Sequence, residues 1–153
     1  MKKLLSIAIL SFGLLFLAQN TANAQTVSGS IGAVTRGGST RGTITLSIPG
    51  GLHVNSSRPN SQYAIPTSVK VSAVGAKTGA VSYPRGKNRK FQFSEDTLNV
   101  YEGNATFSFT LTVPASFKGN VVKVRAVVRF QACTDEVCYP PKTKEVTITA
   151  RVK

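Results

Sequence analysis

Apolar and polar residues alternate with a period of two through most of this chain, and that period builds strands, not helices. Thr43 to Ile48 reads Thr-Ile-Thr-Leu-Ser-Ile, one apolar face and one polar face, because successive side chains of a strand point to opposite sides. Val69 to Val74 repeats the pattern, Thr106 to Val113 carries it most cleanly, and Glu145 to Val152 closes the chain with it. Val121 to Phe130 is longer, β-branched and nearly continuous in apolar character, which predicts a central strand. Turn residues separate these runs at Pro49-Gly50-Gly51, Arg58-Pro59-Asn60, Tyr83-Pro84-Arg85-Gly86, Glu102-Gly103-Asn104 and Lys118-Gly119-Asn120. No window of helical length has a 3.6-residue apolar repeat. Short strands with frequent turns predict an all-β antiparallel sandwich. Gly75 to Asp96 is the least regular stretch and is expected to leave the sheets on a long excursion, with short strands of its own.

The first residues stand apart. Lys2 and Lys3 precede an apolar run from Leu4 to Ala18, broken only by Ser6, Ser11 and Gly13, and Ala22-Asn23-Ala24 supplies small residues where a signal peptidase reads. Residues 1–24 are therefore expected to be a secretory signal peptide cleaved after Ala24. The run is shorter than the ~20 residues of a spanning helix, so the mature chain is not expected to insert stably in a membrane. No cysteine lies near the cleavage point to carry a lipid. Residues 25–153 make one domain, large enough to bury a core without disulfides or metals. The formal net charge is +13, and removing Lys2 and Lys3 leaves it strongly positive. Such a surface attracts anionic partners. The basic residues are scattered and lack interleaved aromatics, which argues for a solubility surface and against nucleic acid as a partner. The one dense cluster, Arg85-Gly86-Lys87-Asn88-Arg89-Lys90, is expected in a solvated loop.

The chemistry of the chain concentrates at its two cysteines, Cys133 and Cys138. An exported pair is expected to bond. The spacing suits a hairpin with loop Thr134 to Val137, since opposed residues in an antiparallel pair lie ~4.5–5.5 Å apart, within reach of a disulfide. As a staple, so short a loop stabilises by only about 2 kcal/mol. As a redox pair, a bond at a hairpin tip is open to a partner's thiolate, and the neighbouring sulfurs can divide the roles of attack and resolution. Asp135 and Glu136 would raise a thiol pKa there. Spacing alone leaves both readings open. Tyr139 and Pro140 are placed to pack beside the sulfurs. His53 is a candidate proton donor, though a lone histidine is more often an ordinary strand residue. Two cysteines and one histidine fall short of a zinc site. No Ser-His-Asp set, P-loop or dinucleotide fingerprint is present, and no cofactor is expected.

The segment Phe130-Gln131-Ala132-Cys133-Thr134-Asp135-Glu136-Val137-Cys138-Tyr139-Pro140-Pro141-Lys142-Thr143 resembles the redox hairpin of the N-terminal periplasmic domain of the bacterial thiol:disulfide interchange protein DsbD. Gly51-Leu52-His53-Val54-Asn55, Ile65-Pro66-Thr67 and Leu98-Asn99-Val100-Tyr101-Glu102-Gly103 resemble further family segments in the same order, so the likeness covers most of residues 40 to 152. It implies an immunoglobulin-like sandwich and a periplasmic electron relay. By that analogy Cys138 attacks a substrate disulfide and Cys133 resolves the mixed disulfide. A thioredoxin-like protein or membrane thiol carrier is the implied donor, and periplasmic disulfide proteins are the implied acceptors. The family's cap loop would have its counterpart within Ser82 to Phe93.

Departures accompany the likeness. The loop between the cysteines is one residue shorter, and family aromatics of the Gly-led strand are replaced by His53 and Asn55. Acidic cap residues find no match in a segment that carries Arg85, Lys87, Arg89 and Lys90. The chain ends at Lys153, so a separate electron donor is expected. The alternative reading is a non-catalytic sandwich with a structural disulfide that binds a protein partner or an anionic envelope surface. Replacing both cysteines separates the two, because such binding would survive and electron transfer would not.

Overall fold

The computed structural model describes residues 24–153, so all but the last residue of the expected signal peptide lies outside the described residues. In chain order the strands are β1 (Thr26–Ile31), β2 (Ser39–Ser47), β3 (His53–Asn55), β4 (Ser68–Ala73), β5 (Lys77–Thr78), β6 (Lys87–Lys90), β7 (Thr97–Tyr101), β8 (Asn104–Thr112), β9 (Val121–Phe130), β10 (Ala132–Cys133) and β11 (Lys142–Arg151). They form three antiparallel sheets, ordered β1-β2-β8-β5, β11-β9-β4 and β10-β3-β7-β6. Among the described residues no helix is long and apolar enough to cross a membrane.

The alternating strands bury one face each. Ile44 and Leu46 of β2, Phe107 and Leu111 of β8, and Val122, Val124, Ala126, Val128 and Phe130 of β9 are all within the main core. Each such large side chain removed from water contributes roughly 1.5–3 kcal/mol. β9 is central in its sheet, between β11 and β4, as its composition predicts. It is buried on one face only, with Lys123, Arg125 and Arg129 exposed on the other. Gly42 leaves room for an aromatic ring across the β2–β8 pair, where a Cβ would stand 2.4 Å from Phe109 Cζ.

The irregular stretch from Gly75 to Asp96 does carry short strands, β5 and β6. The basic cluster is not wholly a loop as expected. Lys87 to Lys90 is an edge strand paired with β7, and all its residues are exposed. A strand exposed on both faces needs no apolar alternation, so its sequence gave no period, and charge on an edge strand discourages pairing with other chains.

Candidate functional site: a cystine at the edge of the third sheet

β9 and β10 are nearly one strand, interrupted at Gln131. Before the break the chain pairs with β11 and β4, and after it with β3. The Gln131 side chain holds this switch. Its Oε1 accepts from Asn55 Nδ2 (3.1 Å) and from the Ile65 amide (3.4 Å), and its Nε2 donates to the Tyr139 carbonyl (3.2 Å). Asn55 Nδ2 also donates to the Ile65 carbonyl at 3.1 Å. On the other side of the site, Gly51 adopts φ +79° in the turn that delivers β3, a conformation glycine takes without strain.

Cys133 and Cys138 form the disulfide, with Cα atoms 4.0 Å apart. They face each other across an antiparallel bridge. The flanking hydrogen bonds run from the Thr134 amide to the Val137 carbonyl and from the Tyr139 amide to the Ala132 carbonyl, each 2.8 Å. The cysteines thus occupy a non-hydrogen-bonded position of the ladder, where opposed residues approach most closely. The loop is Thr134 to Val137, as the spacing predicts. Thr134 Oγ1 pins it by accepting from the amides of Glu136 (3.2 Å) and Val137 (3.1 Å).

The two sulfur-bearing residues are not equivalent. Cys133 is fully buried. Cys138 is exposed and lines a groove of about 530 Å³ together with Asn55, Tyr63, Phe93, Glu95, Asp96 and Gln131. Tyr139 is exposed beside it.

β3 is buried throughout, which its length and polar ends did not signal. Val54 faces the main core with Ala132 and Tyr101. His53 and Asn55 face the opposite way, into a second small cluster of Phe91, Leu98 and Val100. Phe91 stacks on His53 with ring centroids 4.1 Å apart, and Phe93 stacks on Phe91 at 5.3 Å. These rings cover the site from the end of the Ser82 to Phe93 segment where a cap was expected. His53 is the first residue of β3, stands opposite Cys133 in the ladder and is 2% exposed. Burial lowers its pKa below 6.5. Asp135 and Glu102 push it back up, and Arg89 lowers it further. Its Nε2 and Asn55 Oδ1 are buried without hydrogen-bond partners.

The acidic residues gather here. Of six Asp and Glu in the chain, all but Glu145 surround the site. Glu95 and Asp96 line the groove, Asp135 and Glu136 occupy the hairpin loop, and Glu102 pairs with Lys87 and Arg89, each at 3.6 Å. Glu95 and Asp96 lie just beyond the Ser82 to Phe93 segment, whose only charged residues are cations. Among the described residues no group of three or more His, Cys, Asp or Glu could hold a metal ion.

Two facing sheets, with a third presenting a cystine at its edge, define an immunoglobulin-like sandwich that carries a disulfide-bonded cysteine pair. The chain belongs to the family of the N-terminal domain of the thiol:disulfide interchange protein DsbD, whose sequence profile matches residues 23–150. Among solved structures it is similar to the DsbD N-terminal domain of Neisseria meningitidis in complex with the PilB N-terminal domain. That match has 19% identity and a TM-score of 0.50, covering 80% of this chain and 81% of that one. It is also similar to the N-terminal periplasmic domain of ScsB from Proteus mirabilis, at 9% identity and TM-score 0.53, covering 82% of this chain and 45% of that one. No curated protein matches the chain in sequence.

Proposed function

We propose that this domain, exported to the bacterial periplasm by the leader at residues 1–24, relays electrons by thiol–disulfide exchange at Cys133 and Cys138. Its donor is a thioredoxin-like protein or a membrane thiol carrier, and its acceptors are exported proteins with disulfides. The observation that carries this reading is the unequal exposure of the two cysteines: Cys138 is exposed on a groove and Cys133 is buried. A donor's thiolate attacks Cys138 Sγ, the Cys133–Cys138 bond breaks, and its electron pair leaves on Cys133 Sγ, which takes up a proton. The donor's second thiolate then attacks its own sulfur in the mixed disulfide and releases Cys138 as a thiolate. Passing the electrons on reverses these roles. Cys138 attacks the acceptor's disulfide, and Cys133 attacks Cys138 Sγ to expel the acceptor's thiolate. The complex of the Neisseria meningitidis relative with a PilB domain supports a protein partner for this chain.

Trapping tests the assignment. A Cys133→Ala chain should accumulate covalent adducts with disulfide proteins through Cys138, because nothing resolves them. A Cys138→Ala chain should form almost none. Equal trapping by both variants would contradict the assigned roles.

A second reading has its own support. The exposed face of β11-β9-β4 carries Lys70, Lys123, Arg125, Arg129 and Arg151 against Glu145 alone, and Arg125 donates to Glu145 from Nε (3.0 Å) and Nη2 (2.5 Å). Such a face suits an anionic envelope surface. Salt-sensitive retention on anionic vesicles, unchanged when both cysteines are replaced, would favour it.

A further inference from the structure

We infer that His53 is the base of this site: its Nε2 accepts the Cys133 S–H in the dithiol and takes the proton when Cys133 resolves a mixed disulfide. The inference rests on the relay reading and deepens it.

The topology sets the roles. Cys133 pairs with His53 on one side and with Cys138 on the other. His53, Cys133 and Cys138 therefore form one row on one face of the sheet, with Cys133 in the middle. Directly opposed residues have Cβ atoms ~4.5–5.5 Å apart, so the imidazole is a neighbour of the buried sulfur, not of the exposed one. Nε2 is buried and unpartnered. An unmet polar atom in a dry place is costly, and in the oxidised state no hydrogen exists on Cys133 to meet it. Reduction creates that hydrogen. Phe91, stacked at 4.1 Å, holds the ring in place.

The chemistry follows. Cys133 is fully buried, and desolvation disfavours a bare thiolate there. In the resolving step its proton passes to Nε2. Its sulfur electron pair forms the bond to Cys138 Sγ, and the bond from Cys138 Sγ to the acceptor breaks, the pair leaving on the acceptor's sulfur. The proton then passes to that thiolate or to water. The groups that act on the ring are Asp135 from the hairpin loop, Glu102 beyond β7 and Arg89 from β6. The carboxylates stabilise the imidazolium once formed. Burial keeps the ring neutral and ready to accept at neutral pH.

The test uses the reduced chain and dithiobis(nitrobenzoate), which needs no protein partner. Attack by Cys138 releases one coloured thiolate, and resolution by Cys133 releases the second. In His53→Phe, which keeps a ring under Phe91, the second release should slow by roughly 10²-fold at neutral pH. The first should not change. The deficit should vanish well above the ordinary thiol pKa of about 8.5, where Cys133 ionises unaided. His53→Gln, which retains a polar side chain without a titrating base, should show the same pH-dependent loss. Matching pH profiles in wild type and both variants would overturn the role of His53 and leave the relay standing. A loss of equal size at every pH would also overturn it, as a packing defect. A wild-type chain that gives no release at all would sink the relay reading, and this role with it.

Discussion

The sheet β11-β9-β4 and the sheet β10-β3-β7-β6 differ in almost every physical respect. In the first, β9 and β11 pair in register over their full lengths, from Lys142 opposite Phe130 to Arg151 opposite Val121. One face is core and the other is basic. In the second, β10 and β3 are only 2 and 3 residues long. Their outer face is covered by Phe91 and Phe93, carries two unpartnered polar atoms, and is ringed by nearly all the acidic residues. The first sheet buries no polar side chain, whereas the second buries His53 and Asn55, each with an unpartnered atom. A buried polar group without a partner calls for a specific explanation, whether strain, a redox or catalytic role, or a bound water or ion.

The contrast predicts that stability resides in one region and chemistry in the other. Phe107→Ala, in the main core, should cost about 3–5 kcal/mol in denaturant unfolding. Replacing both cysteines with alanine should cost only about 2 kcal/mol, while abolishing all exchange. A double variant that failed to fold would show that the cystine is a staple after all. Gln131→Ala should cost about 1–3 kcal/mol, since it leaves Asn55 Nδ2 and the Ile65 amide each short of an acceptor. It should also slow exchange by loosening the hairpin, whereas a variant with unchanged exchange would show that β10 is positioned without it.

Acid sharpens the comparison further. The folded pKa of His53 is depressed, so the unfolded chain takes up the proton first as pH falls. The stability contributed by the neutral buried ring is complete above about 6.5 and declines as pH drops through that value towards the folded pKa. His53→Phe should flatten this limb of the stability–pH curve, and an unaltered limb would contradict the assignment. The smallest effect belongs to the basic face. Lys123→Glu with Arg129→Glu should change stability by no more than about 0.5 kcal/mol each, with exchange at the cystine unaffected.

The same contrast explains what was legible in the sequence. β2, β4, β8 and β11 bury one face and expose the other, so their alternation could be read directly, while β9 was legible as a long β-branched run whose single buried face only the structure shows. The hairpin could also be read, because two cysteines at that spacing with prolines after them leave few geometries. β3 could be read as a strand only through its likeness to a Gly-led family strand, and its burial could not be read, because it is covered on both faces, one of them by a distant segment. The role of Gln131 depends on Asn55 and Ile65 arriving beside it from far along the chain. Its place next to Ala132-Cys133 was the one available signal. Glu95 and Asp96 lie just past the stretch expected to form the cap, and only the groove shows that they belong to the site.

The most direct test is the equilibrium reduction potential of the Cys133–Cys138 bond, measured in the folded chain against a thiol buffer. A relay that trades electrons with thioredoxin-like proteins predicts a value well above about −300 mV, with rapid equilibration. A value far below that, with a bond inert to thioredoxin-like reductants, would mean that the pair is structural and would contradict the account.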